Sequence, residues 1–314
     1  MATRQARKKR LREARLARQQ EAERARFRHR RAGIALGCLL AAVAVAGVAV
    51  ALTSGGQPRG GGGESTPAAI VDVHGIGVNP ADGSLYIATH TGLFRSASGA
   101  SSARRVDAPE QDLMGFSIAG PDRFVASGHP GPGQDLPPAI GLIESRDDGR
   151  SWESLSLQGE ADFHVLRAAG RAVYGFDGRL MASRDGGRTW QEREAPADLV
   201  DLAPDPRDPD RVLASTGGGL RISEDGGRSW SDGTLGSPAL LAWGGGARVF
   251  AVDGQGKVYA SGDGGGSWRQ AGTVRGPPAA FTADERGKVY LARPDGSVDE
   301  SADGGRNWRP RSRN

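Results

Sequence analysis

Short apolar runs alternating with polar residues fill the chain from about residue 67 onward. Examples are VDVHGIGV, SLYIATH, GLFRSA, FSIAG and RFVASG, separated by segments rich in Gly, Pro, Asn and Asp. Runs of this length with such boundaries predict β-strands. Four runs recur in every stretch of about 40 residues, which is the content of one blade of a β-propeller.

The pattern upstream is different. Residues 32–52 are 21 residues without a charge, and at about 1.5 Å per residue a helix of that length spans roughly 31 Å, enough to cross a bilayer core. We therefore expect a transmembrane helix over 32–52. The basic residues on its N-terminal side predict a cytoplasmic N-terminus and an extracytoplasmic remainder, in a single-pass protein of the cell membrane. A cleaved signal peptide ending near Ala49-Val50-Ala51 is the alternative.

Charge and composition divide the chain further. Residues 1–31 hold thirteen Arg and Lys and three Glu, a net +10, so that the rest of this +4 chain carries −6. This basic cytoplasmic tail is explained by orientation and by attraction to anionic lipid, and nucleic-acid binding is not expected. Residues 53–66 form a Gly-rich linker. Cys38 is the only cysteine, so the domain predicted over 67–314 contains no disulfide.

One octapeptide recurs in that domain. SEDGGRSW begins at Ser223, and related copies begin at Ser145, Ser183, Ser261 and Ser301, at intervals of 38 to 40 residues. In the Ser183 copy, Asp185 can accept hydrogen bonds from backbone N–H groups two residues on, and Gly186 and Gly187 permit positive φ. We predict a tight hairpin at each copy, with the tryptophan packed against the neighbouring unit.

The octapeptide resembles the Asp-box, or BNR, repeat of sialidase-like β-propellers. The resemblance implies turns between the third and fourth strands of each blade, on the face away from the active site, with structural roles for their aspartates and tryptophans. It also implies six blades over 67–314, the first box having decayed to SASGASSARR from Ser96. The predicted structural residues are Asp147, Asp185, Asp225, Asp263, Asp303, Trp152, Trp190, Trp230, Trp268 and Trp308.

Candidate ligand residues emerge when the blades are aligned on their second strands. Asp72-Val73-His74, Asp112-Leu113-Met114, Asp162-Phe163-His164 and Asp198-Leu199-Val200 then correspond. Residues i and i+2 of a strand share a face, so each of the first three blades presents a carboxylate and a His or Met together. His90 and His129 follow the second strands of the first two blades, and the long segment 130–139 overhangs the same end.

Three interpretations of these residues remain open. They are structural, or they bind a metal through His74, His90, His129 and His164, where thioether ligands favour copper and carboxylates favour zinc, or they form an enzyme site. Sialidases of the resembling family carry an F/Y-R-I-P motif that this chain lacks, and Tyr86, Tyr174, Tyr259 and Tyr290 occupy one repeated mid-strand position typical of packing. Asp72, Asp112 and Asp162 are the weak catalytic candidates of an exo-sialidase-like glycoside hydrolase.

The sequence thus predicts an all-β, six-bladed propeller behind a membrane anchor. The resemblance extends to bacterial membrane-anchored BNR proteins labelled sialidase or glycosyl hydrolase by similarity, and to the photosystem II assembly factor and sortilin-type receptors, which bind proteins or peptides. We expect a monomeric ligand-binding or scaffold module whose ligand is a protein or peptide, a metal ion or a glycan, in that order. Its predicted ligand residues are Asp72, His74, His90, Asp112, Met114, His129, Asp162 and His164.

Overall fold

The computed structural model describes residues 70–313, which form six four-stranded antiparallel sheets. Each sheet uses four consecutive strands, as the spacing of the apolar runs predicts. The strands of the first three sheets are β1 Val73–Val78, β2 Leu85–Thr89, β3 Gly92–Ser96, β4 Arg104–Arg105; β5 Gln111–Gly120, β6 Arg123–Pro130, β7 Leu142–Ser145, β8 Glu153–Ser156; and β9 Val165–Ala169, β10 Ala172–Phe176, β11 Leu180–Ser183, β12 Gln191–Arg193. Those of the last three are β13 Leu199–Pro204, β14 Val212–Thr216, β15 Gly219–Ser223, β16 Ser231–Asp232; β17 Ala239–Trp243, β18 Val249–Asp253, β19 Lys257–Ser261, β20 Arg269–Thr273; and β21 Ala280–Ala283, β22 Val289–Ala292, β23 Val298–Ser301, β24 Arg309–Ser312.

The six sheets close into a ring, so the domain is an all-β, six-bladed propeller. The first strand of each blade contacts the first strand of the next, and β21 of the sixth blade contacts β1 of the first. Six apolar clusters fill the six boundaries between neighbouring blades. The hydrophobic core of the molecule is therefore a ring of interfaces between blades, rather than a set of separate blade cores.

Second strands are among the most buried elements of the propeller. All five residues of β2, LYIAT, and of β14, VLAST, are buried, as unbroken apolar runs predict for strands covered on both faces. Tyr86, Tyr174 and Tyr290 occupy second strands, but the expectation that Tyr259 does so is wrong. Tyr259 lies in β19, a third strand, and Phe250 takes the corresponding place in β18.

The five octapeptides join the third and fourth strands of blades two to six, as predicted. In the third blade the Asp185 carboxylate accepts hydrogen bonds from the Ser183 hydroxyl at 2.7 Å, from the backbone N–H groups of Arg188 and Thr189 at 2.9 Å each, and from the Thr189 hydroxyl at 2.6 Å. The backbone donors thus lie three and four residues on, rather than two. These bonds lower the pKa of Asp185, the Thr189 hydroxyl contributing most.

The octapeptide tryptophans pack into the boundaries between blades, as predicted. Trp190 is half-buried in the cluster formed by blades two and three, and its indole N–H donates to the Ser156 hydroxyl of blade two at 2.9 Å. The other four tryptophans each join the cluster between their own blade and the preceding one. Each turn is therefore an attachment point between neighbouring blades as well as a hairpin.

The first blade lacks an octapeptide, and the C-terminal strand β24 contacts the segment that takes its place. The Arg311 guanidinium of β24 donates to the Ser96 hydroxyl at 3.0 Å, to the Ala97 carbonyl at 2.8 Å and to the Ala100 carbonyl. Ile70 packs in the cluster shared by blades one and six. Each strand pairs only within its own blade. The ring closes through these side chains and through two backbone hydrogen bonds between blades one and six, from the Arg313 N–H to the Ser101 carbonyl at 3.0 Å and from the Asp72 N–H to the Pro294 carbonyl at 3.1 Å.

The expectations for the tail at 1–31, the helix at 32–52 and the linker at 53–66 lie outside the described residues, as does the first part of the domain predicted to begin at Pro67. Within residues 70–313 the structure contains no helix long and apolar enough to cross a membrane.

Candidate functional site

Antiparallel strand order gives the propeller two distinct faces. The octapeptide turns follow third strands and therefore share one face with the ends of the first strands; we call it the turn face. The opposite face carries the starts of first strands and the ends of second strands; we call it the rim face. Six of the eight predicted ligand residues form a continuous series on the rim face of blades one to three, the His/Asp row: His74, His90, Asp112, His129, Asp162 and His164.

Blade one contributes two histidines, one from a β-bulge and one from a tight turn. His74 lies at a β-bulge, where the pairing of β1 with β2 shifts between Val73 and Gly75. His90 occupies the two-residue turn after β2, where the Thr89 hydroxyl accepts the Thr91 N–H at 3.1 Å and donates to the Gly92 carbonyl at 3.0 Å. The two imidazoles meet edge to face with ring centroids 4.3 Å apart.

Blade two contributes a carboxylate and an imidazole from facing positions. Asp112 and His129 are cross-strand partners in the pairing of β5 with β6. Gly128 precedes His129 with φ of 148°, and a Cβ there would overlap the Asp112 carbonyl oxygen. Only glycine permits this close approach of the two strands, which brings the His129 ring to the Asp112 carboxylate.

Blade three supplies Asp162 and His164 from the segment just before β9. The buried Phe163 between them anchors this segment, since its N–H donates to the Ser127 hydroxyl of blade two at 2.9 Å. The His164 N–H donates to the Phe176 carbonyl at 3.1 Å. The first contact fixes the segment across the boundary between blades two and three, and the second attaches it to β10 of its own blade.

Neighbouring side chains of the row are joined by a continuous series of polar contacts. The Asp112 carboxylate lies 2.7 Å from His90 Nδ1 through one oxygen and 3.1 Å from His129 Nδ1 through the other. His129 Nε2 lies 3.1 Å from Asp162 Oδ2, and His164 Nδ1 lies 4.0 Å from the same oxygen. Each carboxylate therefore lies between two imidazoles.

His74 is the least solvated member of the row. Burial lowers the pKa of His74 to about 4, and the neighbouring His90 and His164 act in the same direction, against the opposing effect of Asp112 and Asp72. The imidazole of His74 is consequently neutral at physiological pH. Its Nε2 atom is buried and has no hydrogen-bond partner among the described residues.

Asp72 and Met114, the other two predicted ligand residues, lie beside the row. Asp72 adopts a φ of 53°, its N–H donates to the Pro294 carbonyl of blade six at 3.1 Å, and its carboxylate is close enough to His74 to raise the pKa of that imidazole. Met114 is the extra residue of a β-bulge between Leu113 and Gly115. The expectation that residues i and i+2 share a face is therefore wrong at His74 and Met114, because a bulge re-aims the side chain.

Sequence alignment did not identify the apolar part of the rim face. Three large apolar side chains are exposed among residues 70–313: Val71 at 43 %, Leu136 at 39 % and Val200 at 40 %. Val71 precedes β1, Leu136 lies in the long connection from β6 to β7, and Val200 is the extra residue of a bulge in β13. All three belong to the rim face, with Val71 in blade one, Leu136 in blade two and Val200 in blade four.

A cavity of about 950 Å³ opens at the other end of the ring, on the turn face, and the sequence did not predict it. The later parts of the six innermost strands line it, with Arg167 among the lining side chains. The Arg167 guanidinium lies 2.6 Å from the buried Asp201 carboxylate, which also accepts the Leu241 N–H at 2.9 Å. This ion pair thus links blades three, four and five and is already satisfied within the protein.

Comparison with known proteins supports the fold. No family model and no curated protein matches the chain. Among solved structures, a GH74 xyloglucanase from Xanthomonas campestris matches at 18 % identity and a TM-score of 0.51. The match covers 78 % of this chain and 46 % of the xyloglucanase, so the present chain spans about half the length of that enzyme. YCF48 bound to D1 peptide matches at 17 % identity and a TM-score of 0.50 over 78 % of this chain and 83 % of that one. The WD40 repeats of RRP9 match at 11 % identity and a TM-score of 0.51, covering 76 % and 79 %. The chain thus shares the propeller fold with proteins of quite different kinds.

Proposed function

We propose that this protein is a binding module that recognises a peptide or protein segment on the rim face of blades one to three. The observation that carries the proposal is the convergence of the His/Asp row with the exposed apolar residues on one face. Isolated exposed apolar residues are common on soluble proteins, but here all three large ones among residues 70–313 lie on the same face as one cluster of ionisable side chains. Apolar anchor residues together with surrounding polar groups are the usual composition of a protein interface.

The chemistry of this surface favours a segment with basic and apolar side chains. Asp72, Asp112 and Asp162 contribute three carboxylates, and no Lys or Arg belongs to the row. A cationic side chain would gain charge-assisted hydrogen bonds here. Val71, Leu136 and Val200 offer contacts to apolar neighbours in the same segment. A peptide-bound propeller, YCF48 with D1 peptide, provides a precedent for the fold.

The membrane context belongs to the same proposal. A basic tail at 1–31, an anchor at 32–52 and a linker at 53–66 would present the propeller outside the cell membrane. The linker of fourteen residues would give the domain a reach of roughly 20 Å on the scaling for Gly-rich chains. The partner would accordingly be an extracytoplasmic protein or segment.

An exo-sialidase-like glycoside hydrolase remains the alternative, since the xyloglucanase match links the fold with glycan chemistry. Paired catalytic carboxylates must flank the scissile bond with free space between them. In this row the His129 imidazole fills the space between Asp112 and Asp162. We therefore expect no turnover of aryl glycosides, and turnover that disappears in Asp112→Asn would support the hydrolase instead.

Selection of a phage-displayed random peptide library on the purified full-length chain tests the binding proposal. We expect enriched peptides that carry Lys or Arg next to apolar residues. Their affinity should fall at least tenfold in Asp162→Asn, corresponding to about 1.4 kcal/mol for a lost charge-assisted contact. The matched control is Glu285→Gln, which removes one negative charge from the turn face.

Two results would count against the proposal. Selected peptides that bind Asp162→Asn and wild type equally, while Glu285→Gln weakens them, would locate the binding surface on the turn face. A selection that enriches no peptide would remove the case for peptide recognition. Thermal unfolding of each variant shows whether the fold is retained.

A further inference from the structure

We propose that His74, His90 and Asp112 bind a zinc ion at the blade-one end of the His/Asp row. One ring nitrogen of each histidine and one carboxylate oxygen of Asp112 lie within 4.8 Å of one another. Two imidazoles and a carboxylate are a ligand set that zinc accepts in proteins. The three residues come from β1, from the turn after β2 and from β5, so the ion would join blades one and two.

Only small side-chain movements are needed to bring the three ligand atoms to the spacing that zinc requires. Tetrahedral zinc with bonds of about 2.0–2.2 Å keeps neighbouring ligand atoms about 3.3 Å apart. His90 Nδ1 and Asp112 Oδ1 are already 2.7 Å apart, and the rings of His74 and His90 are in edge contact. His90 is exposed and sits at a turn, so rotation of its side chain can replace the hydrogen bond to Asp112 with two bonds to the metal.

The unpaired nitrogen of His74 is an independent observation in favour of a ligand. Its Nε2 is buried and has no hydrogen-bond partner among the described residues. A buried polar atom without a partner destabilises the fold unless something else satisfies it. The β-bulge at Val73–Gly75 keeps the side chain in this position, and a metal ion at the cluster would give Nε2 a partner.

The remaining row supplies the support that zinc ligands usually have. Metal-binding side chains are commonly held by outer hydrogen bonds, and His129 Nδ1 contacts the second oxygen of Asp112 at 3.1 Å. Asp162 in turn holds His129. The ligand group consists of imidazoles and a carboxylate without the Met114 thioether, which favours zinc over copper.

Three protein ligands leave one coordination position of tetrahedral zinc open. A water molecule or a donor atom of a bound segment would occupy this position. The inference deepens the proposed function. Only the occupation of the open position by a bound segment rests on that function, since zinc can bind whether or not a peptide does.

Isothermal titration of zinc into the full-length protein tests the inference, with Cys38→Ser as the background in which the single thiol is removed. We expect one zinc per chain and a loss of affinity of more than about 100-fold in His90→Ala, because a ligand is lost. His129→Ala, which removes support from Asp112, should cost about 10-fold. The matched control is His29→Ala, which removes the one histidine of the sequence outside the row and should change affinity by less than about threefold.

Equal zinc affinity in wild type, His90→Ala and His74→Ala would overturn the inference, as would a loss in His29→Ala as large as that in His90→Ala. Magnesium in place of zinc should give no measurable heat, since this site lacks the oxygen ligands magnesium requires. Repeating the peptide measurement with EDTA separates the two proposals. Peptide binding without any zinc site would retain the proposed function alone, and zinc binding without any selected peptide would retain the metal site alone.

Discussion

Each octapeptide turn depends on its first serine, on its aspartate and on the polar residue, Ser, Thr or Asn, at its seventh position. The first serine donates to the aspartate and accepts the N–H of the second glycine, as Ser183 does from Gly187 at 2.9 Å. The aspartate accepts the N–H groups that the reversing chain leaves free. In the fifth copy Asn307 replaces Ser or Thr, and its side-chain amide donates to Asp303 at 2.7 Å, so the substitution preserves the contact.

Asp185→Asn should destabilise the protein in a pH-dependent manner. Hydrogen bonds hold the pKa of Asp185 below its ordinary value of 3.8, so the folded protein binds fewer protons than the unfolded chain near that pH. The charged carboxylate's stabilisation is therefore complete above about pH 4 and is lost as pH falls through the lowered pKa. Urea midpoints should differ between wild type and variant at pH 7, and the difference should shrink at pH 2–3. A difference that is constant over this range would contradict the assignment.

Gly187→Ala should cost more than Gly178→Ala. Both glycines have nearly the same positive φ, 95° and 97°, so both substitutions incur a left-handed penalty of about 1–2 kcal/mol. A Cβ at Gly187 would also overlap Leu142 of the preceding blade, whereas a Cβ at Gly178 meets nothing within 4 Å. We expect about 1–3 kcal/mol of additional destabilisation at Gly187, measured by chemical denaturation. Equal losses would show that the turn does not press against its neighbour.

The pattern of residue types predicted the ionisable part of the site, but not its geometry. Corresponding places in the repeat brought Asp112 and Asp162 to one face because a repeat with fixed period places equivalent residues alike. The backbone bulges at His74, Met114 and Val200 have no counterpart in apolar periodicity. The exposed Leu136 belongs to a connection without repeated structure, so that no alignment of blades could locate it.

At the scale of elements, the connection between β24 and the first blade closes the ring. The spacing of octapeptides predicted a degenerate turn after Ser96, and the far end of the chain contacts that turn. Arg311 donates to it, as Arg193 donates to the Gly226 carbonyl of the blade-four turn, and the Arg311 side chain is only 8 % exposed. Neighbouring Glu300 lies 3.6 Å from Arg311 and pairs with Lys288 at 2.6 Å and Arg309 at 2.8 Å.

Arg311→Ala should destabilise the protein by about 2–4 kcal/mol, because it removes a buried guanidinium with several acceptors across the ring closure. Arg309→Ala is the matched control on the same strand. The Arg309 side chain also pairs with Glu300 but is 71 % exposed, so its loss should cost less than about 1 kcal/mol. Free energies of unfolding from urea titrations give the comparison. Similar losses for both variants would mean that the closure does not depend on Arg311.

At the scale of the whole molecule, stability is shared between blades. Each of the six apolar clusters is built from two adjacent blades, and the last of them joins blades six and one. Strand type, blade number and ring closure could all be predicted from the period of the sequence. The cavity on the turn face could not, because it depends on how far the six innermost strands stand apart.

The ring of shared clusters predicts a single cooperative unfolding transition for residues 70–313. Loss of one blade would expose the apolar faces of two others. Tryptophan fluorescence, which reports the blade boundaries, and far-ultraviolet circular dichroism, which reports the strands, should give the same midpoint. Separate midpoints would indicate that blades unfold independently.

The central claim is that the rim face of blades one to three is the ligand-binding part of this propeller, organised around His74, His90 and Asp112. An anomalous difference map recorded at the zinc edge from crystals of the zinc-loaded protein tests it most directly. The account predicts one dominant peak about 2.0–2.2 Å from a ring nitrogen of each of the two histidines and a carboxylate oxygen of Asp112. A map without a peak there, or with its strongest peak on the turn face, would contradict it.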